Sequence, residues 1–185
     1  MNILHGYAER IRRGEEIPLP LAMVLSAAVP ALQLGMWLRL HRPRHRVAAR
    51  VISFGNITAG GTGKTPAVIE RARIETAAGH CVAVLTRGYG SQKTPEPMIV
   101  PPGEANPDLA DRIGEEAALI RCRVPEVTIV KSADRVAGAE AAIAHGGCDT
   151  LLLDDGFQQV ALERDENILV IDATNPFGNG RPLPK

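Results

Sequence analysis

The chain has 185 residues, of which 45% are hydrophobic and 23% charged, and its 21 basic and 21 acidic residues leave no net charge. This length fits one domain with a substantial core. The balanced charge and ordinary hydrophobic content exclude a disordered chain and indicate no nucleic-acid-binding surface.

The first predicted element is an apolar segment near the amino terminus. Residues 17–38 contain no charged side chain, and basic residues lie on both sides of them. A bilayer span needs about 20 apolar residues, so a span and a buried hairpin are both alternatives. We favour a membrane-associating segment over residues 1–46 that lies in the interface, with Trp37 at its boundary. The span is disfavoured by four interruptions, at Pro20, Pro30, Gln33 and Gly35.

From residue 51 onward, apolar strand-like runs alternate with helix-like segments. This alternation predicts an α/β domain over residues 47–185, with a largely parallel sheet flanked by helices. The stretch 91–107 contains five prolines and is predicted to be a surface loop or a small excursion from the domain. The predicted strands are residues 51–55, 81–86, 127–131, 150–154 and 167–172, and the predicted helices are residues 64–78, 114–122 and 133–145.

The three cysteines, Cys81, Cys122 and Cys148, are widely spaced in the sequence. They form no CxxC pair, and no histidine lies near them at a metal-ligand spacing. This pattern predicts reduced, structural thiols, in a protein whose catalytic part faces the cytosol.

The sequence VISFGNITAGGTGKTPAVIE joins the first predicted strand to the first predicted helix. It resembles the phosphate-binding pattern G-x-x-x-x-G-K-[ST], with Thr58 in place of the first glycine. Glycines let backbone N–H groups turn inward onto a phosphate. Lys64 is expected to reach the β- and γ-phosphates of a nucleotide, and Thr65 to bind Mg²⁺. The predicted nucleotide-binding residues are Thr58, Ala59, Gly60, Gly61, Thr62, Gly63, Lys64 and Thr65.

A second acidic element follows the strand in TLLLDDGFQ. Asp154 or Asp155 is expected at the carboxyl edge of the sheet, where open α/β folds bind ligands. Two acidic residues after a strand often form only a cap or a solvated turn. Together with the GKT loop, they predict a Mg²⁺ site.

Three classes of phosphate-binding protein compete for this pattern. A GTPase needs an NKxD-type guanine reader, and no lysine of the chain has that context. Partitioning or assembly ATPases of the KGGxGKT type resemble AGGTGKT, but Ala59 replaces their signature lysine. The third class is a kinase that carries phosphate to a separate acceptor.

The ordered motifs resemble the tetraacyldisaccharide 4'-kinase family, the lipid A 4'-kinases. The resemblance implies a P-loop NTPase-like fold and transfer of the γ-phosphate of ATP to the 4'-hydroxyl of an acylated disaccharide 1-phosphate, giving lipid IVA. A substrate with four acyl chains stays in the bilayer, so it also implies work at the cytoplasmic face of the inner membrane. The motifs are GNITAGGTGKTP (55–66), TRGYG (86–90), GEEAALI (114–120), DDGFQ (154–158), RD (164–165) and FGNGRPLP (177–184).

The resemblance also implies roles for individual residues beyond Lys64 and Thr65. Asp155 and Glu116 resemble the family's Mg²⁺-handling carboxylates, with Asp154 beside them as a further catalytic residue. Glu115 stands where the family usually has the aspartate that resembles a general base. Its carboxylate is one methylene longer and can still accept a proton. The alternative for Glu115 is a favourable charge in the first turn of a helix.

Proteins of this family continue well beyond the last motif. The resemblance therefore implies a C-terminal region, with a histidine that pairs with the catalytic carboxylate, which this chain does not include. The competing hypotheses are a nucleotide-binding remnant without transferase activity and a partitioning-type assembly ATPase.

Overall fold

The computed structural model describes residues 30, 33–38, 41, 43–57, 63–91, 94–104, 106–174 and 176, and residues 43–172 form one compact unit. This unit alternates strands with helices, as the sequence predicts. Its strands are β1 (Arg50–Gly55), β2 (Val82–Thr86), β3 (Met98–Val100), β4 (Thr128–Lys131), β5 (Thr150–Leu153) and β6 (Glu166–Leu169). Its helices are α1 (Lys64–Ala77), α2 (Leu109–Ile113), α3 (Glu115–Arg123), α4 (Arg135–Gly146) and a 3₁₀ turn (Gly156–Gln158).

The six strands form one sheet in the order β3-β4-β2-β5-β1-β6. Every pairing is parallel except that of β3 with β4, which is antiparallel. Strand β5 lies between β1 and β2, with Val51 opposite Leu151 and Val84 opposite Leu152. The prediction of a largely parallel sheet flanked by helices is confirmed. Because the strands are parallel, the segments that follow β1, β2, β4 and β5 all leave from one edge.

The four inner strands are continuous apolar runs because both of their faces are covered. Their residues are buried throughout, apart from Arg50 at the start of β1. Alternate side chains face opposite sides of the sheet. One side packs with α1, α2 and α3 and includes Ile52, Phe54, Val84, Ile129, Leu152, Val68, Ile113 and Ile120. The other side packs with α4 and includes Val51, Leu85, Val130, Leu151, Leu153, Ala139 and Ala142.

Helix α4 shows how the sequence sets its own boundaries. Asp134 caps its first turn by accepting hydrogen bonds from the backbone N–H groups of Val136, at 2.8 Å, and Ala137, at 3.3 Å. Gly147 ends it in the left-handed conformation, with φ of 61°. The predicted helix and strand boundaries elsewhere differ from the observed ones by three residues at most.

The stretch 91–107 contains a short strand that the sequence did not predict. Met98–Val100 forms the edge strand β3, with Val100 fully buried. Prolines at 97 and 101 flank this strand, and proline is tolerated at sheet edges because the missing N–H group can face away from the ladder. Three residues are too few to show alternation in a sequence.

Most of the predicted membrane-associating segment lies outside the described residues. Residues 33–38 are helical and exposed. Within the part of the chain that the structure describes, no helix has the length and apolar character needed to cross a membrane.

Candidate functional site

The loop after β1 enters α1 through a glycine in the left-handed conformation. Gly63 has φ of 82° and ψ of 22°, and α1 begins at Lys64. The first turn of α1 contains no acidic residue and has no side-chain cap. Its free N–H groups and positive helix end can therefore face an anion. The other predicted nucleotide-binding residues, Thr58, Ala59, Gly60, Gly61 and Thr62, lie outside the described residues.

Lys64 connects the segments that follow β1 and β5. Its Nζ atom donates a hydrogen bond to Asn56 Oδ1 at 2.8 Å and lies 3.1 Å from Asp155 Oδ1. The Lys64 and Asp155 side chains are 20% and 29% exposed. This half-buried ammonium group thus lies between the loop and the acidic turn, as the two sequence motifs together predict. Thr65 lies next to Lys64 in the same helical turn.

The turn after β5 packs directly against β1. A Cβ atom at Gly55 would collide with the ring of Phe157, and one at Gly156 would collide with Ser53 Oγ and Leu153 Cβ. Glycine is therefore required on both sides of this contact, because any side chain would separate the two segments. The close packing holds the acidic turn beside the start of the nucleotide-binding loop.

The two aspartates of this turn have different environments. Asp154 is 4% exposed, and its Oδ1 atom has no hydrogen-bond partner among the described residues. Burial, with smaller contributions from the carboxylates of Glu116 and Asp155, raises the pKa of Asp154 to about 6 against the opposing charges of Lys64 and Arg135. Asp155 is half-buried and adopts the left-handed conformation, with φ of 56°. Among the described residues it is the only non-glycine residue with positive φ.

The carboxylates fit a divalent cation that also binds phosphate. Glu116 and Asp155 both raise the pKa of Asp154, and the buried Asp154 Oδ1 atom has no hydrogen-bond partner within the described part of the chain. Within the described ranges, no group of three or more His, Cys, Asp or Glu side chains could hold a metal ion by itself. Mg²⁺ commonly takes only one or two protein carboxylates and completes its shell with phosphates and water. The acidic residues thus suit a Mg²⁺–nucleotide complex better than a metal bound by protein alone.

A cleft of about 470 Å³ opens between the segment that follows β2 and the start of α3. Glu115 and Glu116 begin α3 and line the cleft as exposed residues, after Gly114 with φ of 94°. Glu116 is the carboxylate that acts most strongly on Asp154, so it lies toward the acidic turn. Glu115 lines the same wall in the first helical turn, where the helix dipole also favours it. The remaining lining residues are Thr86, Gly88, Tyr89, Gly90, Ala110, Asp111, Ile113, Gly114 and Ala117.

Lys131 connects the two walls of the cleft through hydrogen bonds. It was not predicted from the sequence. It is 3% exposed at the end of β4. Its Nζ atom donates to Ser91 Oγ at 3.0 Å and to the Arg112 carbonyl, while Ser91 Oγ donates to the Gly88 carbonyl at 2.6 Å. Burial lowers the pKa of Lys131, and the nearby Arg112 lowers it further. A lysine that ends an otherwise apolar strand is the signal that could have identified it.

Arg135 is a second buried cation beneath the site that sequence reasoning missed. It is 2% exposed and donates to the carbonyls of Thr86, at 2.9 Å, and Ser132. Burial, together with the positive charge of Arg87, lowers the pKa of Arg135 to about 10. The negative charges of Asp154 and Asp155 oppose that shift. Arg135 therefore supplies positive charge behind Asp154.

Comparison with known proteins gives consistent matches. The model of the tetraacyldisaccharide-1-P 4'-kinase family, LpxK, matches residues 17–185. The tetraacyldisaccharide 4'-kinase of Anaeromyxobacter dehalogenans is 40% identical, over 91% of this chain and 44% of the relative. That of Jannaschia sp. is 44% identical, over 90% of this chain and 49% of the relative.

A solved structure is similar as well. The crystal structure of LpxK from Aquifex aeolicus in complex with ATP is 29% identical in sequence, with a TM-score of 0.65 over 78% of this chain and 48% of that protein. The chain spans about half the length of the curated relatives it matches. With the family model covering nearly all of its residues, the chain belongs to the tetraacyldisaccharide-1-P 4'-kinase family.

Proposed function

We propose that this chain is a P-loop NTPase-like domain that binds ATP and Mg²⁺. In the whole protein it transfers the γ-phosphate of ATP to the 4'-position of a tetraacyldisaccharide 1-phosphate, which gives lipid IVA in lipid A biosynthesis. The observation that carries this proposal is the contact of Lys64 with Asp155, which joins the two predicted phosphate-handling segments. Membership of the kinase family and the ATP complex of the Aquifex aeolicus relative support it. Neither favours the partitioning-type ATPase.

Lys64 is the expected contact to the nucleotide phosphates. Its ammonium group is held between a neutral amide oxygen of Asn56 and the carboxylate of Asp155. A phosphate oxygen is a charged and therefore stronger acceptor than an amide oxygen. When nucleotide binds, we expect Lys64 to donate to the β- and γ-phosphates in place of Asn56. The backbone N–H groups of residues 58–62 are expected to donate to the same phosphates.

Asp155, Glu116 and Thr65 are the residues that would hold Mg²⁺. When bound, the metal supplies positive charge to the phosphoryl group that is transferred. Asp155 contacts the Lys64 amine, so its carboxylate would lie near the phosphates that Lys64 is expected to bind. Asp154 lies behind it, and its charge is stabilised by any cation that approaches the turn.

Glu115 is the proposed general base for the acceptor hydroxyl. It is exposed on the wall of the cleft, where an acceptor can reach it, whereas Asp154 is buried. A carboxylate can accept the proton of the acceptor hydroxyl as its oxygen attacks the phosphoryl group. The cleft volume of about 470 Å³ suits part of a sugar head group, with the acyl chains outside it.

We further propose that residues 1–46 associate with the cytoplasmic face of the inner membrane, and that the domain boundary follows them. In the described part of this segment, the exposed fractions of Leu34, Met36, Trp37 and Leu38 are 58%, 61%, 54% and 53%. Trp37 also stacks on His41, with ring centroids 4.1 Å apart. Exposed apolar side chains beside basic ones suit an interface of anionic lipid.

Two measurements test the transfer proposal. Calorimetric titration of the 185-residue chain with ATP and Mg²⁺ should show binding, and its absence would contradict the nucleotide site. A fusion of this chain to the C-terminal half of the Anaeromyxobacter dehalogenans relative should label a tetraacyldisaccharide 1-phosphate from radioactive ATP. ATP binding without labelling would favour a nucleotide-binding remnant.

The membrane proposal needs its own measurement. Full chain and a version lacking residues 1–46 are floated with vesicles of anionic lipid and, as the control, of zwitterionic lipid. We expect flotation of the full chain with anionic vesicles only, and none of the shortened chain. Equal flotation of the two chains would place membrane contact elsewhere.

A further inference from the structure

A pair of cysteines lies at the amino-terminal edge of the sheet, opposite the candidate nucleotide site. Cys81 directly precedes β2, and Cys148 lies two residues before β5. Their Sγ atoms are 3.5 Å apart, although 67 positions separate the two residues in sequence. We propose that Cys81 and Cys148 form a redox-active dithiol site, which a low-molecular-weight disulfide such as oxidised glutathione converts to an intrachain disulfide.

The backbone around the pair already has the spacing that a disulfide needs. Cys81 accepts hydrogen bonds at its carbonyl oxygen from the N–H groups of Asp149, at 3.0 Å, and Thr150, at 3.2 Å. Strands β2 and β5 continue from this point in parallel register. Because Val82 is opposite Thr150, Cys148 is offset by one residue from the position opposite Cys81. A strand spacing of about 4.8 Å and a rise of about 3.3 Å per residue place their Cα atoms about 5.8 Å apart, within the usual range for disulfides of about 4.4–6.8 Å. The sulfur atoms thus need only a local side-chain rotation to bond.

The position of Cys148 is fixed by its neighbours. Its side chain is 2% exposed, and a Cβ atom at Gly146 would lie 3.0 Å from its sulfur. The Cys81 thiol is also within hydrogen-bond distance of the Gly146 carbonyl, at 3.3 Å. A thiol held this closely beside its partner has lost most of the freedom that disulfide formation would otherwise remove.

Exposure sets the order of the two reaction steps. Cys81 is exposed and can meet a reagent from solvent, whereas Cys148 is buried. Burial, together with the neighbouring Cys81 thiol, raises the pKa of Cys148 to about 12, so Cys148 is the less reactive thiol while both are reduced. Cys81 is therefore the thiol that reacts first, and Cys148 is the thiol that resolves the intermediate.

The reaction balances with two molecules of reduced glutathione as products. The Cys81 thiolate attacks one sulfur of oxidised glutathione, whose S–S bond breaks, and one glutathione leaves as its thiolate. Cys148 then loses its proton and attacks Cys81 Sγ, and the second glutathione leaves. The two protons lost by the protein thiols are taken up by the two glutathione thiolates. The protein is oxidised by two electrons and the reagent is reduced by two.

The test is reaction of the full 185-residue chain with oxidised glutathione, followed by alkylation of free thiols and mass spectrometry. We expect the loss of two hydrogens, a cross-linked peptide pair containing Cys81 and Cys148, and reversal by dithiothreitol. Cys122→Ser is the matched control, because Cys122 is exposed on α3, and it should behave as the wild type. Cys148→Ser should stop at a stable glutathione adduct on Cys81.

The equilibrium with glutathione adds a quantitative criterion that does not depend on kinase activity. The equilibrium constant gives the effective concentration of one cysteine relative to the other, which for a flexible tether is on the order of 1 mM. In the folded chain this effective concentration should be at least about tenfold higher than in the same chain in denaturant. The proposal would be overturned by equal effective concentrations in the folded and the denatured chain, or by a stable glutathione adduct on Cys81 in the wild type. ATP binding should be equal in both redox forms, since the pair lies at the other edge of the sheet.

Discussion

At the amino-terminal edge of the sheet, Glu75 is buried against two arginines, whereas at the carboxyl edge Asp154 is buried among other carboxylates. Arg71 contacts Glu75 Oε1 at 2.7 Å through Nε and Glu166 Oε2 at 2.8 Å through Nη2. Arg50 contacts the same two glutamates at 3.2 Å and 3.1 Å. The two arginines thus form ion pairs with both glutamates, and the hydrogen bonds from Arg71 lower the pKa of Glu166.

The carboxyl edge has the opposite character. Burial and like charges raise the pKa of Asp154 to about 6, and one of its oxygens has no partner among the described residues. Asp155 also holds a left-handed conformation, which costs about 1–2 kcal/mol for most L-residues. One edge therefore stabilises the fold through paired charges, and the other retains unfavourable charge and strain. Local violations of this kind are expected where a protein binds a ligand rather than where it only folds.

The largest expected effect concerns Glu115 at the carboxyl edge. In the fusion with the relative's C-terminal half, Glu115→Gln should lower kcat by about 10²–10⁴, because it removes a general base. The dissociation constant for ATP should stay nearly unchanged. Glu115→Asp, which restores the family's usual residue, should remain active. Steady-state kinetics and calorimetry measure the two quantities, and an unchanged kcat would assign Glu115 to helix stabilisation only.

Replacing Lys64 should affect binding as well as transfer. Lys64→Ala removes the positive charge expected on the phosphates and should reduce transfer about 10²–10³-fold, with weaker ATP binding. Arg73→Ala is the matched control, since Arg73 lies on the same helix and is half exposed. Calorimetry on the chain and circular dichroism separate lost affinity from lost fold. Equal ATP affinity in both variants would remove Lys64 from the site.

Asp154→Asn should show how much the buried charge at the carboxyl edge lowers the free energy of unfolding. The pKa of Asp154 is raised from 3.8 to about 6, so the folded chain holds its proton more tightly than the unfolded chain. Ionisation of Asp154 therefore lowers the free energy of unfolding as the pH rises from 3.8 to about 6, and above that pH the loss is up to about 3 kcal/mol. The variant should be more stable than the wild type at about pH 7.5, with a smaller gain at about pH 4.5. Urea denaturation measures both values.

Asp111→Asn is the control for that experiment, because Asp111 is exposed on the cleft wall. It should change stability by less than about 0.5 kcal/mol. A gain of the same size for Asp154→Asn at both pH values would show that packing, and not ionisation, is responsible. Loss of stability at neutral pH would contradict the assignment of Asp154 as an unfavourable buried charge.

The two edges also differ in how much the sequence predicted. Asp154 or Asp155 was expected at the carboxyl edge of the sheet and was linked to the GKT loop, since each motif follows an apolar strand and parallel strands end at the same edge. That expectation needs no knowledge of strand order. The motifs thus predicted the shared edge but not the Lys64–Asp155 contact itself, and the roles in Mg²⁺ binding, nucleotide binding and catalysis stay predictions.

Lys131, Arg135 and the Cys81–Cys148 pair could not be predicted in the same way. Each depends on which strands are neighbours, since β5 is inserted between β1 and β2, and β4 lies beside β2. The sequence analysis interpreted Cys81 and Cys148 as separate structural thiols because they are far apart in the chain. Strand β3 was missed for a different reason, since three residues between prolines show no periodicity.

The smallest expected effect tests the amino-terminal edge. Glu75 is 5% exposed and forms ion pairs with both Arg71 and Arg50. Glu75→Gln keeps the shape of the side chain but removes its charge, and Glu166 still pairs with both arginines. We expect a loss of about 1–2 kcal/mol in the free energy of unfolding, and no change in the affinity for ATP.

The control for this variant is Glu70→Gln, on the same helix with its side chain 68% exposed, which should change stability by less than about 0.5 kcal/mol. Lowering the pH should reduce the stability of both Glu75→Gln and the wild type. The lowered pKa of Glu166 adds stability above its ordinary value of 4.5, and this stability is lost as the pH falls through the folded-state pKa. Urea denaturation and ATP calorimetry on the same samples give both quantities. Weaker ATP binding in Glu75→Gln would show that the two edges are energetically coupled, and the separation of a stabilising edge from a binding edge would then be wrong.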